Sequence, residues 1–222
     1  MKLISVQSKN KKQKKNIKAI NQGSLFMKTA LFLLLDEYAD WEIAFLSPYL
    51  NQSTKWQVKT VSLQDSVTSI GGMHTAIDYN LNTLRPQGDL LILIGGNTWN
   101  IDSPTLLEYI HNFFDKSKPI GAICGAVDYL AKNGFLNHFK HTGNSVELWS
   151  SFGNYHNKES FIKTQATRDR NLVTANGTAT IDFSEYVLKM IELDTNENIE
   201  KQSFMNKYGF YEYCKKFGNP YE

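Results

Sequence analysis

The sequence has few cysteines and no long apolar run. Cys124 and Cys214 are its two cysteines, and they stand 90 positions apart, which does not suggest a disulfide framework. The longest apolar runs, ALFLLL at 30–35 and LLILI at 90–94, are far shorter than the ~20 residues of a membrane-spanning helix. The first 26 residues also lack the apolar core of a signal peptide. These absences predict a soluble, cytoplasmic protein without a membrane partner.

Basic charge is concentrated at the amino terminus. Residues 1–26 contain seven lysines and no acidic residue, whereas 27–222 contain 17 basic and 22 acidic residues. Nucleic-acid binding needs clustered basic side chains, and the body of the chain has none on that scale, so a nucleic-acid partner is disfavoured. We expect residues 1–26 to be a basic, disordered extension, since they have no apolar period by which to pack, or a segment translated from a start codon upstream of Met27; the sequence does not separate the two.

Metal-binding and phosphate-binding motifs are also missing from the sequence. No two His, Cys, Asp or Glu residues stand at ligand spacing beside a suitable third. GGMH at 71–74 and IGGN at 94–97 lack the lysine and the further glycines of phosphate-binding loops. We therefore expect neither a metal nor another cofactor.

What the sequence does have is a regular alternation of short apolar runs and longer amphipathic ones, which predicts βαβ units and a mostly parallel sheet. The predicted class is α/β, a three-layer α/β/α sandwich of flavodoxin-like type with a nucleophile elbow. The predicted strands are 28–35, 56–63, 89–96, 119–124 and 171–175, with a hairpin over 67–79. The predicted helices are Asp40 to Asn51, 103–116 with Ser103 and Pro104 at its start, 125–134 and 178–193.

The chain is predicted to form one domain with two appended segments. The basic extension covers 1–26, the α/β domain 27–193, and a polar linker followed by an aromatic helix 194–222. At this length a single α/β domain with a full core is expected.

The stretch GAICGAVDYLAK at 121–132 places Cys124 between a predicted strand and a predicted helix. A nucleophile elbow needs a strand, a reactive residue in a strained turn, small neighbours and a helix whose first amides face the site, and this stretch has all four. A helix N-terminus also lowers the pKa of a cysteine. Burial of Cys124 as a small apolar residue at a strand end is the competing interpretation, and this stretch alone does not decide between them.

Three segments resemble the ThiJ/PfpI family of the class I glutamine-amidotransferase-like superfamily. They are LLILIGGNTW, KPIGAICGAVDYLAKNGFLNHFKHTGN and NLVTANGTATIDFSEYVLKMIE, and the resemblance covers about 28–193. It implies that Cys124 is a nucleophile and that Glu42, in DEYADWEIAFL, is a protonated partner that donates a hydrogen bond to the thiolate. It also implies an oxyanion hole formed by the backbone amides of Gly96 and Gly125. Glu42 alone would otherwise be interpreted as an acid favoured by the start of a helix.

The third catalytic position departs from the family pattern. No histidine follows His156, so the standard glutamine amidotransferase triad is not found. Some family members place a histidine directly after the cysteine, where this chain has Gly125. Others place it in the loop after the elbow helix, where this chain has Asn144. His141, three residues before Asn144, is a candidate for lining the site, as are Asn144 and Asn97.

Three functions follow from the resemblance. The first is a cysteine-dependent enzyme, a hydrolase or lyase, that acts on small reactive carbonyls or their adducts, with a small-molecule carbonyl as its partner. The second is a non-catalytic redox-sensing or stress and chaperone protein that uses oxidation of Cys124. The third and weakest is an intracellular cysteine peptidase. A homo-oligomer, by default a dimer, is expected from the family.

Overall fold

A computed structural model describes residues 27–222 as a three-layer α/β/α protein. The predicted extension, 1–26, lies outside the described residues. The central sheet has seven strands in the order β5-β2-β1-β6-β7-β9-β8, and all neighbouring pairs are parallel except β8 with β9. Its strands are β1 (Lys28–Leu33), β2 (Trp56–Ser62), β5 (Tyr79–Asn80), β6 (Leu90–Leu93), β7 (Ile120–Ile123), β8 (Ala166–Asp169) and β9 (Leu172–Ala175). β3 (Ser66–Thr68) and β4 (His74–Ala76) form the predicted hairpin. The predicted fold class is confirmed.

Seven α-helices occur in 27–222. They are α1 (Asp40–Ile43), α2 (Leu46–Gln52), α3 (Pro104–Asp115), α4 (Gly125–Lys132), α5 (Thr180–Met190), α6 (Asn196–Tyr208) and α7 (Phe210–Phe217). Successive side chains of a strand point to opposite faces, so Leu31 and Leu33 pack with α3 and α4, whereas Ala30 and Phe32 pack with α2 and α5. Both faces of the central strands are therefore buried, which explains their continuous apolar runs. No helix within 27–222 is long and apolar enough to cross a bilayer.

The helix predicted from Asp40 to Asn51 is two helices. α1 ends at Ile43, and α2 begins at Leu46 after a turn at Ala44 and Phe45. Pro48 explains the break, because a proline ring clashes with the carbonyl group four residues earlier, here that of Ala44. The break leaves α1 as a single turn at the carboxyl edge of the sheet.

The segment predicted as a linker and one helix, 194–222, contains two helices instead. Thr195 caps α6, since its Oγ1 accepts a hydrogen bond from the Asn198 N–H at 3.2 Å, and Gly209, at φ 87°, separates α6 from α7. Ile199 is buried against the domain, and the Lys207 ammonium pairs with Asp182 on α5 at 2.6 Å. The polar start of this segment is therefore a capped helix that packs on the domain.

Candidate functional site

Cys124 occupies a strained turn between β7 and α4. Its φ of 57° and ψ of −129° lie in a region that residues other than glycine rarely adopt. The strand ends at Ile123, the helix begins at Gly125, and the Cys124 N–H donates to the Ala175 carbonyl at 3.0 Å. This is the geometry of a nucleophile elbow, in which a sharp strand-to-helix turn presents a side chain at the carboxyl edge of the sheet.

Two glycines allow the chain to pass close to Cys124. A Cβ at Gly177, in the loop after β9, would lie 2.8 Å from the Cys124 Sγ and 3.5 Å from the Glu42 Oε1. A Cβ at Gly95 would lie 2.5 Å from the Cys124 Cβ and 2.7 Å from the Glu42 Oε2. Cys124 and the Glu42 carboxyl group therefore lie close to both Gly177 and Gly95, and only glycine fits at either position.

Glu42, on the single turn of α1, is completely buried beside the thiol. Its side chain is 0% exposed, and its Oε2 accepts a hydrogen bond from the Gly95 N–H at 2.7 Å. Its Oε1 is buried and has no hydrogen-bond partner within the described residues. A buried oxygen without a donor is uncommon, and a proton on this carboxyl group would convert Oε1 into a donor. Glu42 is therefore a buried acid beside Cys124. An acid that only favours the start of a helix would be exposed.

Burial raises the pKa of Glu42 to about 7, although the Gly95 N–H and the nearby Cys124 thiol both act to lower it. Burial also raises the pKa of Cys124, and the charge of an ionised Glu42 raises it further. The sequence predicts a lowered pKa for Cys124, so the structure differs on this point. The reason is that two buried anions side by side are opposed by desolvation and by repulsion.

The pair therefore holds one negative charge near neutral pH, and its hydrogen-bond donors decide where the charge resides. The Cys124 Sγ accepts from the Asn144 Nδ2 at 3.4 Å and from the Gly125 N–H. The Asn144 Oδ1 in turn accepts from the Gly177 N–H at 2.9 Å, which orients the amide. The sulfur has two donors besides Glu42, whereas the carboxyl group has the Gly95 N–H. The donors at the sulfur act to lower the pKa of Cys124 but do not outweigh burial and the Glu42 charge, so this pKa stays raised. A thiolate beside a protonated Glu42 is the arrangement that the family resemblance implies.

The two predicted oxyanion glycines lie next to each other at the elbow. A Cβ at Gly125 would lie 2.8 Å from the Gly96 carbonyl oxygen, and Gly96 has a φ of 149°. The Gly96 N–H makes no hydrogen bond within 27–222, whereas the neighbouring Asn97 N–H donates to the Glu37 carbonyl at 3.2 Å. The Gly96 N–H is therefore without a partner in the described structure, next to the elbow, and an oxyanion hole at Gly96 and Gly125 stays a prediction.

His141 lies in an aromatic cluster and not against the nucleophile. Its ring nitrogens are 2.7 Å from the Phe139 carbonyl oxygen and 2.7 Å from the Tyr155 hydroxyl oxygen, and the side chain is 0% exposed. Burial lowers the pKa of His141, which favours a neutral ring. Both nitrogens are engaged, so His141 is not available to Cys124 as a base, which corrects the prediction that it lines the site.

Two cavities flank the elbow. One, of about 360 Å³, is bordered by Gly96 and Gly125 and includes the predicted Asn97. The other, of about 400 Å³, is lined by residues that include Asn144, Gln165 and Asn176. Gly177, which borders Cys124, and Asp128, which lines the first cavity, were not identified from the sequence. Nothing in their sequence neighbourhoods marks them, since their roles depend on which segments meet in space.

Glu42 makes the stability of the protein depend on pH. Its pKa is about 7 in the folded protein against an ordinary value of 4.5, so the folded state binds more protons than the unfolded state between these values. The stabilisation by protonated Glu42 is therefore complete below pH 4.5 and is lost as the pH rises through 7. We expect the free energy of unfolding to fall by up to about 3 kcal/mol over this range because of Glu42.

Urea unfolding of the wild type and of Glu42→Gln from pH 4 to pH 8 tests this expectation. Gln keeps the shape and does not ionise, so its free energy of unfolding should fall less steeply over this range. Glu108→Gln, at an exposed glutamate on α3, is the control and should follow the wild type. Parallel pH profiles for all three proteins would contradict a raised pKa at Glu42.

Comparison with known proteins shows the family of the chain. Residues 28–190 match the DJ-1/PfpI family. The chain is 53% identical over 195 residues to "Uncharacterized protease YdeA" of Bacillus subtilis (strain 168), covering 88% of this chain and 99% of that protein. It is 33% identical over 181 residues to "Uncharacterized protease YoaZ" of the same organism, covering 76% of this chain and 86% of that protein.

Solved structures give the same result. The crystal structure of a ThiJ/PfpI family protein from Bacillus anthracis superposes with a TM-score of 0.78 at 32% identity, covering 86% of this chain and 96% of that one. A DJ-1 superfamily protein from Agrobacterium tumefaciens superposes with a TM-score of 0.74 at 26% identity, covering 82% and 100%. From the matched residues, the extent of these relatives and the shared fold, the chain belongs to the DJ-1/PfpI family.

Proposed function

We propose that the protein is a cysteine-dependent enzyme that acts on small reactive carbonyl compounds or their adducts. The observation that carries the proposal is the position of the Cys124 sulfur, which is held in a strained turn near the buried Glu42 carboxyl group and accepts a hydrogen bond from Asn144. Burial gives Glu42 a pKa of about 7, which lies in the range where a carboxyl group can both give and take a proton.

The proposed reaction on a 2-oxoaldehyde begins with attack of the Cys124 thiolate on the aldehyde carbon. A carbon–sulfur bond forms, and the carbonyl electron pair moves to oxygen, which lies between the Gly96 and Gly125 N–H groups and takes the Glu42 proton. Glu42, now a carboxylate, removes the proton from the same carbon to give an enediolate and returns it to the adjacent carbon, while the hydroxyl proton moves to the oxygen of that adjacent carbon. Water then cleaves the resulting thioester, which releases a 2-hydroxy acid and restores the thiol. The reaction consumes one water and no oxidant or reductant.

The cavities favour a small substrate. Their volumes of about 360 and 400 Å³ lie at the lower end of the range for small-molecule sites. The relatives YdeA and YoaZ carry the word protease in their names, so peptide cleavage by the same cysteine is the weaker alternative. The small volumes of the two cavities count against it, since a peptide substrate needs room on both sides of the scissile bond.

Consumption of methylglyoxal tests the proposal. We expect the wild type to convert methylglyoxal to lactate, and Cys124→Ala to lose at least about a thousand-fold in kcat, because the attacking atom is removed. Cys214→Ala is the matched control and should keep wild-type activity. If Cys124→Ala consumes methylglyoxal as fast as the wild type, the proposed reaction is wrong.

Redox sensing is the second candidate function, and the donors around the sulfur favour it. Asn144, Gly125 and a protonated Glu42 would all hydrogen-bond to the oxygens of an oxidised Cys124. In this function the outcome is a stable sulfinate and not turnover. Failure of the methylglyoxal assay together with rapid oxidation of Cys124 would favour it.

A further inference from the structure

The cavity of about 360 Å³ beside the oxyanion glycines contains groups that the proposed reaction does not use. Gly96 and Gly125 border it on the side of the nucleophile, so a substrate whose carbonyl oxygen lies between them extends into this space. Asp128 and Lys132, one and two turns along α4 from Cys124, project into it. Asn97, Asn100 and aromatic carbons of Trp99 and Phe152 form much of the remaining wall. We call this space the oxyanion-side pocket.

The oxyanion-side pocket has one acidic and one basic side chain, and these do not pair with each other in the described structure. The Lys132 Nζ donates to the Asn100 Oδ1 at 2.9 Å. The Asp128 Oδ1 accepts from the Trp149 Nε1 at 2.6 Å. A ligand of either charge would be attracted by one of these side chains and repelled by the other. The two charges therefore give the pocket no net preference for an anion or a cation, which suits a neutral ligand.

The pocket contains both hydrogen-bond acceptors and hydrogen-bond donors. The Asp128 Oδ2 has no hydrogen-bond partner within 27–222 and is an acceptor. Lys132 keeps two N–H groups after its bond to Asn100, and the amides of Asn97 and Asn100 supply further donors. A hydroxyl group both donates and accepts, so a chain of hydroxyls satisfies the acceptor and the donors together. An alkyl chain would leave them without partners, at a cost in binding.

Trp149 fixes the orientation of the Asp128 carboxylate. The indole is buried at 1% exposure, and its hydrogen bond to Oδ1 leaves Oδ2 for a ligand. Burial raises the pKa of Asp128, whereas the Trp149 N–H acts to lower it. The carboxyl group is thus positioned by the fold and not by a neighbouring cation.

We propose that the oxyanion-side pocket binds the hydroxylated chain of a neutral, sugar-like carbonyl compound, whose carbonyl group lies at Gly96 and Gly125. This inference rests on the proposed function for the reaction, and it names the substrate class. It implies that methylglyoxal, which has a methyl group in place of such a chain, leaves the pocket unfilled.

Binding of two ketones with the same four-carbon skeleton tests the proposal. L-erythrulose carries three hydroxyl groups and 2-butanone carries none. By ligand-observed NMR titration of Cys124→Ala, which cannot form a covalent adduct through residue 124, we expect the Kd of L-erythrulose to be at least about ten-fold lower, since a site built for hydroxyls discriminates against their absence. Adding Lys132→Met should raise the Kd of L-erythrulose by about ten-fold. Adding Lys116→Met, at an exposed lysine outside the pocket, should leave it unchanged.

Asn100→Ala in the same background is a second variant at an exposed position, and it should also weaken L-erythrulose binding. Equal affinities for the two ketones, or an unchanged Kd in both the Lys132 and Asn100 variants, would overturn the proposal. These outcomes are separate from the methylglyoxal assay. If the two ketones bind with different affinities but the wild type does not consume methylglyoxal, the proposed reaction is wrong and the pocket proposal stands. If the wild type consumes methylglyoxal but the two ketones bind equally, the reaction stands and the pocket proposal is wrong.

Discussion

Gly95→Ala should destabilise the protein by about 3 kcal/mol, near the upper end of the cost of overpacking a core. The new Cβ would lie 2.5 Å from the Cys124 Cβ, 2.7 Å from the Glu42 Oε2 and 2.8 Å from the Ile123 carbonyl oxygen. One of these atoms is backbone and the other two belong to short or buried side chains, so the clash cannot be relieved by a rotamer change. Chemical denaturation of the variant and the wild type measures the loss.

Gly153→Ala is the matched control for this substitution. Gly153 is exposed, and no heavy atom lies within 4 Å of the position of a Cβ there. Its free energy of unfolding should stay within about 0.5 kcal/mol of the wild type. If Gly95→Ala is as stable as Gly153→Ala, Cys124 and Glu42 are not packed against the end of β6 as the structure has them.

The elbow could be predicted from the sequence because its requirements are local. A β strand, small residues around Cys124 and a helix start are all contained in GAICGAVDYLAK, and the structure has each of them within one residue of its predicted place. The parallel sheet could also be predicted from the sequence, because both faces of its central strands are covered and these strands are continuous apolar runs.

The parts that could not be predicted depend on contacts between distant segments. His141 stands three residues from Asn144, and only the packing of Trp149, Tyr155 and Phe161 around its ring decides that Asn144, and not His141, reaches the sulfur. The raised pKa of Cys124 likewise depends on how deeply Glu42 is buried beside it, which the helix-start position alone does not determine.

In the C-terminal segment, a local signal for the start of a helix was present, but the polar composition led to the prediction of a linker. Thr195 followed by Asn196, Glu197 and Asn198 is a capped helix start with an acidic first turn, yet the polar composition of 194–203 favours a linker. Contacts of Ile199 and Lys207 with the domain stabilise α6, and these contacts link positions that are far apart in the sequence.

Cys124 should be oxidised by hydrogen peroxide at least about ten-fold faster than Cys214, because hydrogen-bond donors at its sulfur stabilise both the thiolate that reacts and the sulfinate that forms. Its sulfur accepts from Asn144 and Gly125, and a protonated Glu42 adds a third donor. The Cys214 sulfur, on α7, makes no hydrogen bond within the described residues. The thiolate takes one oxygen from each of two peroxide molecules to give a sulfinate, and each peroxide leaves as water.

Variants of Glu42 test whether the oxidation rate of Cys124 depends on its pairing with Glu42. In Glu42→Gln the amide oxygen can accept from the Gly95 N–H while the amide N–H groups donate to the sulfur, and the charge that opposes the thiolate is gone. Oxidation of Cys124 should therefore be at least as fast as in the wild type. In Glu42→Ala the donor is lost, and the sulfinate loses a hydrogen-bond partner, so the sulfinate should accumulate more slowly.

The most direct test of the central claim, that Cys124 is a reactive cysteine paired with Glu42, is peptide mass spectrometry after brief exposure of the native protein to peroxide at neutral pH. We expect two added oxygens on the peptide containing 119–132 well before any on the peptide containing Cys214, with Glu42→Gln at least as fast as the wild type and Glu42→Ala slower. Oxidation of Cys214 first, or a Cys124 that stays reduced in the native protein, would contradict the claim and leave Cys124 as a packed residue at the end of a strand.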